Sequence, residues 1–251
     1  MNLAVTAGTG LPGLNFLPNF PLTTVYNCIY NRKQVNNMNI STKRIPKKGL
    51  PAGFLYVDEV IDDCIVDAKY AGTDNFLGRA VTGYNAPLVV VTQAVADRLV
   101  PAAAALREKG FILKIFDAYR PQRAVDDFVR WGTDSEDCRR KPVHYPNEEK
   151  RDMFLKGYIA RKSGHTRGCA VDLTLVDKRT HQELDMGSIF DFMDLRSHHG
   201  APGLSALQEG NRALLRDALC GHGFRLYQEE WWHYIAVPEP WPDTYFDFPI
   251  E

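Results

Sequence analysis

A histidine and an aspartate stand seven positions apart in SGHTRGCAVDLTL, residues 163–175, as His165 and Asp172. A second histidine, His233, closes the segment EEWWH, with Glu230 three residues before it. Histidine nitrogens and a carboxylate are the ligand types of catalytic zinc, which takes three protein ligands and keeps a fourth position for water. His165, Asp172 and His233 supply that number, and Glu230 is a spare carboxylate able to act as a base beside the metal. Alone, His165 reads as a surface or hydrogen-bonded residue, Asp172 as a turn cap, and Glu230 with His233 as a solvated edge; together the two segments reverse that reading. No HExxH helix occurs, so the common zinc-protease pattern is excluded.

These side chains need elements to hold them. Ala170 to Leu175 alternates as a strand, with Ala170 and Asp172 on one face and Val171 and Leu173 on the other. Gly164, Gly168 and Ala170 are small enough for a metal and substrate to approach the backbone. The third ligand is expected from a neighbouring strand, His233 to Val237. Upstream, a β-branched run at Leu88–Val91 leads into an alanine-rich helix that stops at Gly110. Phe111–Phe116 reads as a strand, and Pro121 opens a helix through Trp131. A polar loop is expected over Cys138–Glu149, a helix over Asp152–Arg161, a loop-rich stretch over Thr180–Gly203, a helix over Asn211–His222 closed by Gly223, and a strand at Phe224–Tyr227. There is no regular βαβ rhythm, which predicts one α+β domain with a central, mainly antiparallel sheet flanked by helices.

The whole chain sets limits on partners. Its 251 residues, 45% hydrophobic, suffice for one substantial core. Thirty Lys and Arg against thirty-one Asp and Glu give a net charge of -1, without the concentrated basic surface that nucleic acid requires. No apolar run reaches the roughly 18 residues of a membrane span. The five cysteines, Cys28, Cys64, Cys138, Cys169 and Cys220, are scattered and form no CxxC pair, so reduced, mostly buried thiols are expected. Residues 1–45 are rich in Gly, Pro and Asn and read as a weakly structured extension preceding a catalytic domain over 46–251; Met38 is an alternative start for the folded unit. That extension lacks a basic n-region and a clean small-residue cleavage site, which favours a cytoplasmic location, with a periplasmic one as the alternative.

Ser163, His165, Gly168, Ala170 and Asp172, followed by Glu230, Trp232 and His233, form SxHxxGxAxD and ExWH patterns. The chain thereby resembles the zinc D-alanyl-D-alanine peptidases. DAYRP at 117–121, FDFM at 190–193, RSHH at 196–199 and EWWHY at 230–234 resemble the dipeptidase branch, of the VanX type. The resemblance runs from about Gly53 to the C-terminus and implies the fold of that peptidase type. It implies a single zinc ion on His165, Asp172 and His233, with Glu230 moving the proton from water to the leaving amine. Arg120 would polarise the scissile carbonyl and hold the oxyanion. Asp191 and Tyr70 would take the substrate's free ammonium, and Ser163 would contact the dipeptide backbone or its carboxylate. His198 and His199 would have a supporting role, Trp231 and Trp232 would be core and pocket wall, and Cys169 a packing residue.

The implied activity is hydrolysis of the dipeptide D-alanyl-D-alanine to two D-alanines, tied to cell-wall precursor metabolism or glycopeptide resistance. A carboxypeptidase trimming cell-wall peptides is the alternative within the same chemistry and would need an open groove in place of the Asp191 and Tyr70 wall. A metal-stabilised binding module without activity is the alternative of another class; the presence of both Glu230 and Arg120 argues against it.

Overall fold

Short apolar runs separated by turn residues pair here into a five-stranded sheet beside a smaller two-stranded one. The computed structural model describes residues 45–251. The extension expected over 1–45 lies, apart from Ile45, outside the described residues, as does Cys28. In chain order the strands and helices are β1 (Phe54–Tyr56), β2 (Ile65–Val66), β3 (Val90–Thr92), α1 (Gln93–Glu108), β4 (Phe111–Asp117), α2 (Gln122–Thr133), α3 (Lys141–His144), α4 (Lys150–Met153), β5 (Ala170–Asp177), α5 (Ala206–Cys220), β6 (Phe224–Tyr227) and β7 (Glu230–Ala236). The large sheet has the order β2-β4-β5-β7-β6, with β2 parallel to β4 and every other pair antiparallel. β1 and β3 form the second, antiparallel pair. The fold is α+β with a mainly antiparallel sheet, as the element order predicts.

β5 is the middle strand, and its side chains are buried from Ala170 through Val176. Val171, Leu173 and Leu175 are wholly enclosed, and burying each stabilises the fold by about 1.5–3 kcal/mol. Helices α1 and α5 pack against each other and against the sheet at β4, β7 and β6. α1 starts where the Thr92 hydroxyl accepts the Val95 N–H at 3.2 Å, and its chain leaves at Gly110, whose φ of 87° is left-handed.

Several boundaries differ from the sequence reading. α5 begins at Ala206, ahead of Asn211, because Ser205 and Gln208 form a reciprocal capping box. Over Asp152–Arg161 helix is confined to the end of α4; Gly157 turns left-handed at φ 81° and the Tyr158 N–H bonds back to the Met153 carbonyl, closing the turn. Within the expected loop 138–149 lies the single turn of α3, which tolerates Pro142 because the first turn has no N–H to lose. The cysteines also depart from expectation: all four described ones are free, yet only Cys169 is buried, with Cys64 half-buried and Cys138 and Cys220 exposed. The loss is small, since none of them serves a disulfide or a thiolate site.

The register decides what meets across the sheet. Asp117 of β4, Asp172 of β5 and His233 of β7 stand opposite one another in a row. A β-bulge between Ile115 and Asp117 shifts the pairing of β4 and brings Asp117 into that row. The C-terminal segment then straps the connections above it: the Phe246 N–H donates to Thr166, the Phe246 carbonyl accepts from Gln122, and Tyr119 stacks on Phe248 at 4.2 Å between ring centroids.

Candidate active site

His165 sits in the turn that enters β5, a turn closed by the Gly168 N–H donating to the His165 carbonyl at 2.9 Å. Gly168 has φ 67°, and a Cβ there would meet the Thr92 methyl at 2.3 Å, so only glycine fits. The Ser163 hydroxyl accepts the His165 N–H at 3.2 Å. The imidazole is buried, and its Nδ1 lies 2.6 Å from the Ala118 carbonyl. A carbonyl only accepts, so Nδ1 carries the proton and Nε2 is left with its lone pair facing inward. That Nε2 is 3.1 Å from His233 Nδ1 and 3.2 Å from Asp172 Oδ2, while His233 Nδ1 is 2.9 Å from Asp172 Oδ1. The three donor atoms thus form a small triangle. Ligands around a tetrahedral zinc with bonds of about 2.0–2.1 Å stand roughly 3.3 Å apart, so the donor set fits such an ion in type, number and spacing. Asp172 is held well below the usual carboxylate range: burial opposes its charge, and the two imidazoles beside it outweigh burial.

Arg120 leaves the end of β4 and returns over the site. Its Nε donates to Asp117 Oδ2 at 2.9 Å and a terminal nitrogen approaches Asp172 Oδ2 at 3.4 Å. The guanidinium lies over the Tyr70 and Phe128 rings, 5.1 and 5.0 Å from their centroids. Asp117 also accepts the Tyr84 hydroxyl at 2.7 Å. Burial raises the pKa of Asp117, with Arg120 and His165 pulling against it.

Glu230 opens β7 itself, a correction to its expected place upstream of a strand at His233. Its Oε2 is 3.7 Å from His233 Nδ1. Burial pushes its carboxyl up to about 8, opposed by His233 and assisted by the charges of Asp172 and Asp191. Asp191 and Glu230 line one cavity of about 190 Å³, together with Ser163, Tyr70, Arg120 and the triad. The Tyr70 hydroxyl donates to Asp191 at 2.9 Å, and both side chains are buried. Among the described residues no cationic side chain pairs with Asp191; burial, with Asp172 nearby, raises its pKa well above the ordinary carboxylate value.

Every residue singled out in the sequence for metal, catalysis or substrate therefore borders one cavity. A family model described as D-ala-D-ala dipeptidase, of peptidase family M15, matches residues 51–251. This chain belongs to the D-ala-D-ala dipeptidase family. Curated relatives carry the name D-alanyl-D-alanine dipeptidase. One from Enterococcus faecium is 44% identical over 199 residues, covering 79% of this chain and 98% of the relative. One from Streptomyces coelicolor is 47% identical over 197 residues, covering 78% and 98%. A more distant one from Escherichia coli is 31% identical over 175 residues, covering 70% and 80%.

Membership of the D-ala-D-ala dipeptidase family makes the chain a peptidase, and family M15 is generally metal-dependent, in keeping with the donor triangle. Other parts of the dipeptidase site were out of reach of sequence reading. Asp117 was noticed only as a letter of DAYRP, yet it holds Arg120 and Tyr84 at once. Trp232 lines the cavity, whereas Trp231 is core, its indole N–H donating to Ser188. His198 and His199 stand apart from the triad: His198 contacts the Tyr158 hydroxyl at 3.3 Å, and burial lowers the pKa of His199 to about 4. Among the described residues no helix is long and apolar enough to cross a membrane.

Proposed function

We propose that residues 46–251 form a zinc-dependent dipeptidase that hydrolyses D-alanyl-D-alanine to two D-alanines. The observation that carries this reading is the buried Asp191 carboxylate, without a salt-bridge partner among the described residues, lining the same cavity as the His165, Asp172 and His233 triangle. At about 190 Å³ the cavity is smaller than the roughly 300–1,000 Å³ of sites for drug-sized ligands, which suits a substrate of two small residues.

His165 Nε2, His233 Nδ1 and an Asp172 oxygen would hold the zinc, which when bound would act as a Lewis acid and lower the pKa of a water to about 7. Glu230, lining the cavity beside His233, takes the proton of the attacking water and passes it to the leaving nitrogen. Arg120, charged and locked by Asp117, stabilises the oxyanion. Asp191 and Tyr70 receive the free ammonium, and the Ser163 hydroxyl, whose oxygen already accepts from His165, keeps a proton for the substrate's carboxylate end. An N-acylated peptide would leave Asp191 desolvated and unpaired, so dipeptides are preferred over the ends of longer peptides.

The test is hydrolysis by zinc-loaded protein of D-alanyl-D-alanine, its L,L counterpart and an N-acetylated form. Cleavage of the D,D dipeptide alone is expected, and equal cleavage of the acetylated form would replace this reading with a carboxypeptidase. Glu230→Gln should keep its zinc and lose about 10²–10⁴ in kcat.

A further inference from the structure

Asp191 has a backbone φ of +57°, in the left-handed region that non-glycine residues enter uncommonly, though aspartate more readily than most. The group that holds it is His144, at the end of α3. His144 Nδ1 lies 3.1 Å from the Asp191 carbonyl oxygen, and the His144 carbonyl accepts the Met193 N–H at 2.8 Å, so one residue brackets the 191–193 backbone. On the other side of the ring, Nε2 lies 3.0 Å from an Arg140 terminal nitrogen. A guanidinium only donates and a carbonyl only accepts, which fixes the neutral tautomer with its proton on Nδ1, aimed at Asp191. Arg140 is itself anchored by Asp74 at 3.2 Å and by the Asn75 carbonyl at 3.1 Å. The imidazole is 3% exposed and touches neither the triad nor the substrate cavity.

We propose that His144 is a positioning residue for substrate capture, setting the direction in which Asp191 presents its carboxylate to the substrate's ammonium. This rests on the reading of Asp191 as the ammonium site. A hydrogen bond to the carbonyl fixes the peptide plane after Asp191, and with φ unusual on the other side the Cα–Cβ bond has one orientation left. Without that bond the residue relaxes toward right-handed or extended backbone, and the carboxylate moves off the ammonium position while the metal, Glu230 and Arg120 stay in place. The expected signature is a loss of binding at preserved turnover.

Two replacements separate the two faces of the ring. In His144→Asn the side-chain amide can place an N–H near the Nδ1 position and keep the bond to Asp191. In His144→Gln the longer chain places its amide oxygen near Nε2, keeping Arg140 and abandoning Asp191. With zinc-loaded full-length protein and the free dipeptide, His144→Gln should raise KM about tenfold, the scale of one lost hydrogen bond, with kcat within about twofold. His144→Asn should stay within about threefold of the parent KM by keeping that bond. A native KM in His144→Gln, or equal damage in both variants, overturns the proposal. Asp191→Asn is the control: if it raises KM while His144→Gln does not, only the role of His144 fails; if it leaves KM unchanged, the reading of Asp191 fails and takes this one with it. Should a histidine variant not fold, nitrogen NMR of the parent protein decides: the His144 imidazole should carry its proton on Nδ1, hydrogen-bonded to the Asp191 carbonyl, and a proton on Nε2 instead overturns the role.

Discussion

Asp117→Asn preserves the shape of a buried side chain and removes its charge. One Asp117 oxygen takes the Tyr84 hydroxyl at 2.7 Å and the other takes Arg120 Nε at 2.9 Å. An amide must put its NH2 where one of those oxygens stood. Facing Tyr84 is the less costly choice, because a hydroxyl can rotate and accept; its own proton then lacks a partner, at about 1–3 kcal/mol. The bond to Arg120 falls from charge-assisted to neutral strength, about 1 kcal/mol more. Against this, burial already disfavours the Asp117 charge, so neutralising it returns part of the loss. The net is a destabilisation of about 2 kcal/mol, or roughly 4–8 °C in Tm for a fold of this size. Function should suffer more. With Asp117 neutral, the remaining anionic partner of Arg120 is Asp172 at 3.4 Å, and the guanidinium is drawn toward the metal triangle and away from the developing oxyanion. Loss of one fixed oxyanion donor costs about 10²–10³ in kcat, so a fall of about 10² with KM within about threefold is expected. Urea denaturation, metal content and steady-state kinetics on the dipeptide measure these separately. A variant that keeps kcat within about twofold, or that loses only KM, would refute the argument that Asp117 aims Arg120.

Other outcomes follow from single contacts. Tyr70→Phe removes the hydroxyl that donates to Asp191 but keeps the ring beneath Arg120; KM for the free dipeptide should rise about tenfold or more, and kinetics that match the parent would contradict the contact. Gly168→Ala should lower both Tm and metal affinity, since the new methyl meets Thr92, whose hydroxyl is already fixed by donating to the Gly168 carbonyl at 2.8 Å; strain of about 1–3 kcal/mol is expected by denaturation. Acid sensitivity should trace in part to Asp127. Burial would raise its pKa, but the Arg79 guanidinium and the Thr82 N–H and hydroxyl outweigh burial and hold it well below the ordinary range. A depressed carboxyl stabilises above its unfolded value near about 3.9 and loses that contribution as pH falls toward its folded value. Asp127→Asn should therefore cost about 2 kcal/mol at pH 7, and the difference should shrink below pH 4; a pH-independent difference would count against it.

The sequence carried the parts of this site whose chemistry is local. The strand character of β4 and β5 shows in apolar runs, and His165 and Asp172 stand out by residue type and spacing ahead of one of them, whereas Gly168, expected to make room for metal and substrate, is glycine because Thr92 packs against it. What stayed hidden depends on register or on distant partners. The bulge at Ile115–Asp117, which lines Asp117 up with Asp172, leaves no mark on the residue pattern of FILKIFDAYRP. Glu230 looked like a residue ahead of a strand because two acidic residues and a tyrosine-glutamine turn obscure the start of β7. His144 lies in a polar, proline-containing segment that reads as loop, and its importance comes from a carbonyl 47 residues later in the chain. The Gly157 turn broke the helix expected over 152–161, a reminder that a glycine in a polar stretch outweighs weak helical periodicity.

The pairing of Asp172 with His233 across β5 and β7 bears on how the molecule is made. These residues are 61 apart in sequence, and His165 is 68 from His233. No nascent chain has a complete donor set until β7 has been synthesised and has docked on the sheet, so metal cannot template the early fold. If these three residues hold the proposed metal, full coordination requires central strands already in register, and binding would favour that state by mass action. Metal occupancy would then report correct strand order, and a refolding experiment that follows metal uptake against strand formation should see the ion arrive last.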